Sequence, residues 1–576
     1  MVSASHVIFV VLTSLATVGV ALAMWRKFSQ PRMNPLVALV VLVSWVASFS
    51  IVFALPLDIV VERDRHDTRS ALEGIVATVY YSAMVFTWLV IPFMQGYAMS
   101  GHFSPAAKAK DSLRFNLIFY GVIGLLAIGA VLYLGLSKAT SWDNMVPYLM
   151  SLANTWGLLM MVLLLGYGLI EVPRGLWHKG HAKRRLQLLY YRIGLKAEDK
   201  AEARERLRDC QRMVNRAADR ASSDLSPYIS RIQLRLDLAK DSSEKRTRRP
   251  HVFDSKLSDR IDRADVDVDL LADLHVRVRA DVLQSARCEE EVRNTLDEIT
   301  LLEATEADEH HKKKRIRTAL FRIGAVLCAL MSLIVLWCEA TLAAPVLSPL
   351  RAFFKALGTD ATLWFTTLPL GYVMLCALYS LRRLRIAELY YMHAHKGTDA
   401  NSLLLNAGYT LRVVFPLGFN FLLMMLDDVD ASDRSAFVNV VGKYRTIPLL
   451  GQLDIWLPLV TLLFCAATFF NVFGRLLRAL KVTQFVYSNN DEDARRSSDR
   501  LVADGKLVVR RLRARQRVGR AQGEISDRDF SRRERQLQRE ALVPTRPQND
   551  AAPTATRPMQ RFTDADDYDF SMDGLI

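Results

Sequence analysis

Cysteine is scarce and scattered in this 576-residue chain: six residues, at positions 210, 288, 328, 338, 376 and 465. No Cys-x-x-Cys pair is present, so neither a disulfide framework nor a thiolate zinc site is expected. A phosphate loop, a dinucleotide fingerprint, a serine nucleophile elbow and a His-Glu-x-x-His pair are also missing. The expectation is a protein that is not an enzyme, with no catalytic residue, cofactor or metal. His393-Ala-His395 comes nearest to a metal motif, but no acidic or cysteine residue completes a tetrahedral set with it.

What the chain has in abundance is apolar sequence, 51% of its residues, beside a net charge of +15. The two must be segregated. A bilayer core about 30 Å thick takes roughly 20 apolar residues as a helix. Nine such stretches can be read, near 7–25, 36–55, 75–93, 113–136, 146–170, 319–337, 361–381, 403–426 and 455–472. The first ends in Ala21-Leu22-Ala23, which resembles a signal-peptidase site. No Lys or Arg precedes it, however, while Arg26, Lys27 and Arg32 follow, the reverse of a signal peptide's charge order. It reads as an uncleaved span with its N-terminus outside.

The excess of Lys and Arg on cytoplasmic loops orients the remaining spans. The cytosolic side would hold residues 26–32, 108–114, 174–185, 312–317, 382–385 and 475–481, leaving "DIVVERDRHD" and "DDVDASDRS" outside. The expected fold class is all-α: a polytopic membrane protein of about nine transmembrane helices, N-terminus outside, C-terminus cytosolic, with a helical cytosolic insert. Four parts follow: a five-helix bundle at 1–173, the insert at 174–317, a four-helix bundle at 318–487 and a tail at 488–576.

Within the insert, Leu207, Cys210, Val214, Ala217 and Ala221 follow spacings of three and four, as do Leu271, Leu274 and Val278, then Val292, Leu296 and Ile299. Such spacing makes amphipathic helices, expected to pack as antiparallel arms joined through the exposed "KDSSEKRTRRPHVFDSK". The arms either only pack on each other or also dock a partner. In the tail, "LVADGKLVVRRLRARQRVGRAQ" reads as a short basic helix beside the cytoplasmic leaflet. The acidic end, with Tyr568 and Phe570, reads as disordered.

The fifth span, "ANTWGLLMMVLLLGYGLIEVPRGLW", carries Gly166 and Gly168, which open nearly opposite faces to close helix approach. Ala153 and Gly157 add a second small pair. Glu171, Pro173 and Arg174 lie at its cytoplasmic mouth, and Pro173 is expected to stop or bend the helix near Val172. "LLGYGL" lacks the Thr-Val lead and pore helix of a potassium filter.

An ionisable group inside a span is costly and marks a candidate site. Arg412 is such a group, with Pro416 and Asn420 one and two turns later. It either pairs with a carboxylate or with carbonyls released by Pro416, or lines a cavity with Asn420 and Asn154 that accepts an anionic or amphipathic ligand. Glu339, Glu171 and Asp454 lie near span ends, where solvation is easier.

Four ordered blocks, "VFTWLVIPFMQGYAMSGHFS" (85–104), "LANTWGLLMMVLLLGYGLIEVPRGLW" (152–177), "LYYMHAHKGTDANSLLLNAGYTLRVVFPLGFNFL" (389–422) and "LVADGKLVVRRLRARQR" (501–517), resemble those of the LMBR-like (limb region) membrane proteins. The similarity is greatest to their LMBR domain-containing protein two branch. It covers nearly the whole membrane portion and the start of the tail. The insert matches in position and helical character more than in residues.

The resemblance implies nine spans, N-terminus outside, C-terminus inside, and non-enzymatic work. It implies plasma-membrane signalling by G-protein-coupled receptors for that branch, and lipocalin reception or lysosomal cobalamin export for others. The external loop after the second span is short and lacks cysteine, which weakens any carry-over of external ligand recognition.

Two functions follow. The first is a non-enzymatic membrane receptor-regulator or signalling scaffold at the plasma membrane. Its partners are membrane lipids and signalling proteins reached through residues 186–306 and the tail, with no nucleic acid. The second is a transporter or carrier (lipocalin-type) receptor for a small amphipathic ligand near Arg412. The plasma membrane is the expected location of the protein, and an endosomal or lysosomal membrane the alternative.

Overall fold

Backbone N–H and C=O groups in lipid must be paired within the chain, and each apolar run meets that demand as a helix. The computed structural model describes residues 4–30, 33–64, 69–136, 145–180, 182–237, 257, 260–262, 266–307, 311–341, 347–384, 390–393, 396–425, 435–441, 453–472, 475 and 501–514. All regular elements among them are helical, apart from one isolated parallel bridge between Ser29 and Thr398.

In order these are α1 (Ala4–Phe28), α2 (Pro35–Asp64), α3 (Arg69–Val85), a π-helical turn (Phe86–Val90), α4 (Ile91–Met99), α5 (Pro105–Leu136), α6 (Met145–Lys179), α7 (Ala182–Arg220) and α8 (Ser226–Asp237). There follow α9 (Val268–Ala307), α10 (His311–Ala340), α11 (Pro349–Ala356), α12 (Thr359–Arg383), α13 (Ala400–Met425), α14 (Ala436–Val441) and α15 (Leu453–Phe469). Residues 501–509 form α16. Two compact units divide the chain, Met1–Val509 and Arg510–Ile576. Of the second, residues 510–514 are described and are helical.

Among the described residues, eight helices are long and apolar enough to cross a bilayer, and Leu459–Phe469 is a shorter apolar one. The ninth expected span, near 455–472, falls on α15, described from Leu453 to Phe469. Helix α2 extends into "DIVVERDRHD" as far as Asp64, and the rest of that stretch lies outside the described residues. Asp58 is buried and accepts hydrogen bonds from the Ser435 hydroxyl (2.5 Å) and from the backbone N–H groups of Ala436 (2.9 Å) and Phe437 (3.1 Å). The carboxylate thereby caps α14.

Residues 1–173 and 318–487 share one apolar core, in which Trp45, Leu165, Leu370, Phe415, Phe437 and Cys465 all take part. The central α13 is the most enclosed span. Helix α5 is the least: it packs on α4, and most of its large apolar side chains face outward. The insert folds as expected from its spacing. Helices α7 and α9 run antiparallel, as the contacts Tyr190–Glu303, Lys196–Glu291, Arg204–Glu289 and Cys210–Asp281 establish. Cys210, Val214 and Ala217 meet Leu271, Leu274 and Val278 in a second core, to which α8 adds Ile229 and Ile232. The connecting residues 240–256 and the acidic tail lie outside the described residues.

Described residues of three positive segments gather at one end of the bundle. Lys27 and Phe28 accept backbone bonds from Lys396 (2.9 Å) and Thr398 (3.1 Å). Lys27, Arg185, Arg382 and Arg383 all lie within electrostatic reach of Lys179. The insert occupies this same end.

Candidate functional site

Arg412 extends from α13 onto the face of Trp88, its guanidinium carbon 4.3 Å from the ring centroid. A cation over an indole face is stabilised by the ring quadrupole, more so out of water. The site is shaped by two prolines. Pro92 cannot bond the Trp88 carbonyl, and the hydroxyl of Tyr120 on α5 donates to that oxygen instead. Here the chain widens into the π-helical turn Phe86–Val90. Pro416 likewise releases the Arg412 carbonyl, and Gly157 of α6 lies so close that an added Cβ would stand 3.2 Å from it. The resulting cavity, lined by Tyr80, Thr87, Gly157, Arg412, Phe415 and Pro416, has a volume of about 20 Å³. That is room for a water rather than a drug-sized ligand.

Arg412 and Pro416 thus come together, whereas Asn420 does not join them. Its amide donates to Glu339 Oε1 at 2.5 Å. Eight residues along a helix turn through about 80° beyond two full turns, so Asn420 faces α10 instead of the cavity. Glu339, although near a span end where solvation is easier, is 2% exposed and held by this bond. Asn154 lies on α6, but its side chain is outside the described residues.

The fifth-span residues are resolved by their neighbours. A Cβ at Gly166 would lie 2.6 Å from Phe464 Cβ on α15, and one at Gly168 only 2.4 Å from the Cys376 carbonyl oxygen on α12. The two glycines admit two different helices, as their opposite faces suggested. The helix does not stop near Val172: α6 runs through Pro173 to Lys179. The carbonyl that Pro173 leaves unbonded is that of Leu169, and the Ser332 hydroxyl on α10 donates to it at 2.6 Å. Arg174 bonds Glu171 at 2.5 Å and the Phe469 and Thr468 carbonyls at 2.8 and 3.3 Å. It so caps the C-terminus of α15 and places the ends of α6 and α15 on one side.

Two further networks went unnoticed in the sequence. Trp45 Nε1 donates to Asn406 Oδ1 (3.1 Å), Asn406 Nδ2 to the Tyr390 hydroxyl (2.9 Å), and that hydroxyl to the Leu381 carbonyl (2.9 Å), all buried. The available signal was an amide side chain within an apolar run.

The second network clamps the insert to the membrane portion. Arg279 bonds the Ala98 and Ser100 carbonyls (2.5 and 3.0 Å). Arg287 bonds the Gly397 carbonyl and Asp399 (2.7 and 2.6 Å), and His393 Nδ1 lies 2.9 Å from Glu291 Oε1. Burial alone would raise the Glu291 carboxyl. The His393 hydrogen bond and the Lys196 charge outweigh it and hold the group down at about 2. Burial and then Asp281 push the Cys210 thiol up, so it stays protonated and donates to Asp281 Oδ2 at 2.8 Å. Among the described residues no cluster of three His, Cys, Asp or Glu has metal-binding geometry. His395 lies outside them.

The basic tail segment is helical, but α16 packs on protein: Val509 is buried, and a Cβ at Gly505 would stand 1.8 Å from the Tyr190 carbonyl oxygen of α7. Only glycine permits this crossing, with Lys506 5.6 Å from the Tyr190 ring centroid.

Residues 5–473 match the family described as LMBR1-like membrane protein. This chain belongs to the LMBR1-like family. It is an integral membrane protein, and the four blocks that suggested the relationship lie on α3–α4, α6, α13 and α16. This LMBR1-like chain is 26% identical to the LMBR1 domain-containing protein 2 homolog of Drosophila melanogaster, over 90% of its own length and 84% of the relative's. The G-protein coupled receptor-associated protein LMBRD2 of Homo sapiens is 25% identical over 87% and 83%, and that of Xenopus laevis 29% over 79% and 69%. No solved structure matches the LMBR1-like chain.

Proposed function

We propose that the protein is a non-enzymatic membrane scaffold that associates with G-protein-coupled receptors at the plasma membrane and presents the α7–α9 hairpin to cytosolic signalling partners. The observation that carries this is the name shared by relatives matched over most of their length, G-protein coupled receptor-associated protein. The hairpin supports it physically. It is anchored to the membrane portion through Arg279, Arg287 and His393, so a partner bound to it is held against the bundle.

The test is proximity labelling from a C-terminal fusion to the full chain in intact cells. Receptors should be enriched over the same fusion to an unrelated polytopic protein. Charge reversal at the exposed hairpin arginines Arg212 and Arg293, with side chains 71% and 64% exposed, should reduce that signal several-fold. The scaffold reading fails if no receptor is enriched. A receptor signal untouched by the reversals rejects the hairpin as the docking surface.

A carrier function has one observation in its favour, the guanidinium at mid-span in a cavity with Thr87 and Tyr80. Its small volume counts against a preformed ligand site. Arg412→Leu should abolish ligand movement in protein that still reaches the membrane if the carrier reading holds.

A further inference from the structure

Charged side chains of the hairpin are mostly matched: Arg185 with Glu298, Arg204 with Glu289, Arg216 with Asp262 and Arg260 with Asp273. One corner departs from this rule. Where α4 leaves the membrane and α5 re-enters it, between Met99 and Pro105, α8 and α9 bring Arg231, Arg235, His275 and Arg279 within electrostatic reach of Lys108 of α5. His275 Nδ1 donates to the Gly101 carbonyl at 2.8 Å, and its Nε2 lies 3.4 Å from Arg235 Nη1. The ring is therefore the neutral tautomer, accepting from Arg235. Phe103 fixes it from one side, stacked at 5.0 Å between centroids. Arg279 is committed to the Ala98 and Ser100 carbonyls. Arg231, Arg235 and Arg279 all act electrostatically on Lys108, and Arg279, Arg235 and Lys108 on His275; Asp399 acts on Arg279.

Such convergence of like charge is unfavourable by itself. Its depth indicates what would relieve it: the cluster stands at the bilayer boundary, where phosphate groups lie. Along the same face of α5 as Lys108, at spacings of seven, eleven and fourteen residues, Phe115, Phe119 and Val122 are exposed, an apolar surface suited to acyl chains. We propose that Lys108, Arg231 and Arg235 form a binding site for the multiply phosphorylated headgroup of an anionic phospholipid, with the buried Arg279 adding its charge from behind and the adjoining face of α5 against the lipid tails. The site couples the insert to the lipid beside it. It is independent of the receptor-scaffold reading.

Purified full-length protein in neutral detergent would be titrated with a fluorescent dioctanoyl phosphatidylinositol 4,5-bisphosphate, using inositol trisphosphate and inorganic phosphate as soluble competitors. Each basic side chain near phosphate is worth about fivefold, so Arg231→Gln with Arg235→Gln should weaken lipid binding about 10- to 30-fold. The remote pair Arg212→Gln with Arg293→Gln should leave it unchanged. Lys108→Gln, on a different element, gives a separate measurement should the first variant fail to fold. Equal binding by wild type and either cluster variant overturns the proposal, as does equal loss in the remote control. Soluble headgroup or phosphate binding as tightly as the lipid overturns the lipid assignment in favour of a free anion.

Discussion

His275 shows how far a residue's chemistry is set by its neighbours. Burial foremost, then the charges of Arg279, Arg235 and Lys108, push its pKa down to about 4, against the opposing effect of its bond to Gly101. An unfolded chain would titrate this imidazole near 6.5. Between those values the unfolded state binds a proton that the folded state refuses. The contribution to stability is therefore present above about pH 6.5 and lost as pH falls toward about 4. In lipid-free protein, His275→Gln should flatten the fall in thermal midpoint between pH 7 and pH 4.5; parallel wild-type and variant curves would dismiss this role. Arg412 was legible as a costly intramembrane charge, and Pro416 as its neighbour on one helical face. Asn420 was misplaced because residue spacing alone does not say which neighbouring helix offers a partner, and Glu339 supplied one.

At the scale of elements, several helices contain prolines that should have broken them, and α6 continues because another helix completes it. Ser332→Ala would leave the Leu169 carbonyl without the donor that Pro173 also cannot supply. The expected cost is about 1–2 kcal/mol, read as an earlier midpoint in detergent-induced unfolding. In a Pro173→Ala background the backbone N–H returns, and the same serine change should cost markedly less. Strictly additive losses would mean that the hydroxyl does not compensate for the proline. The heptad-like spacing of α7 and α9 was readable because their apolar stripes are sparse against a polar background. Within the spans every face is apolar, so periodicity could not say which face meets protein and which meets lipid; the outward-facing α5 and the enclosed α13 look alike in composition.

Across the whole molecule, Lys27, Lys179, Arg185, Arg382 and Arg383, from three of the positive segments that charge counting assigned to one side, lie together at the end occupied by the insert. The orientation this implies can be checked with a membrane-impermeant maleimide. Ser222→Cys, exposed between α7 and α8, should react only after cells are permeabilised, while Thr341→Cys, beyond the far end of α10, should react in intact cells. The reverse pattern would invert the topology. Amino-acid order alone determined that this protein is helical, inserted in a membrane and divided by a long amphipathic hairpin, because lipid accepts only chain whose backbone is self-paired and because charge and apolarity alternate in blocks. Only the tertiary structure decided that α16 crosses α7 at Gly505, that Glu339 belongs to Asn420, and that five basic groups meet at the base of α5. Those outcomes depend on contacts between residues far apart in the chain, where shape and charge are matched across helices and leave no local pattern to read.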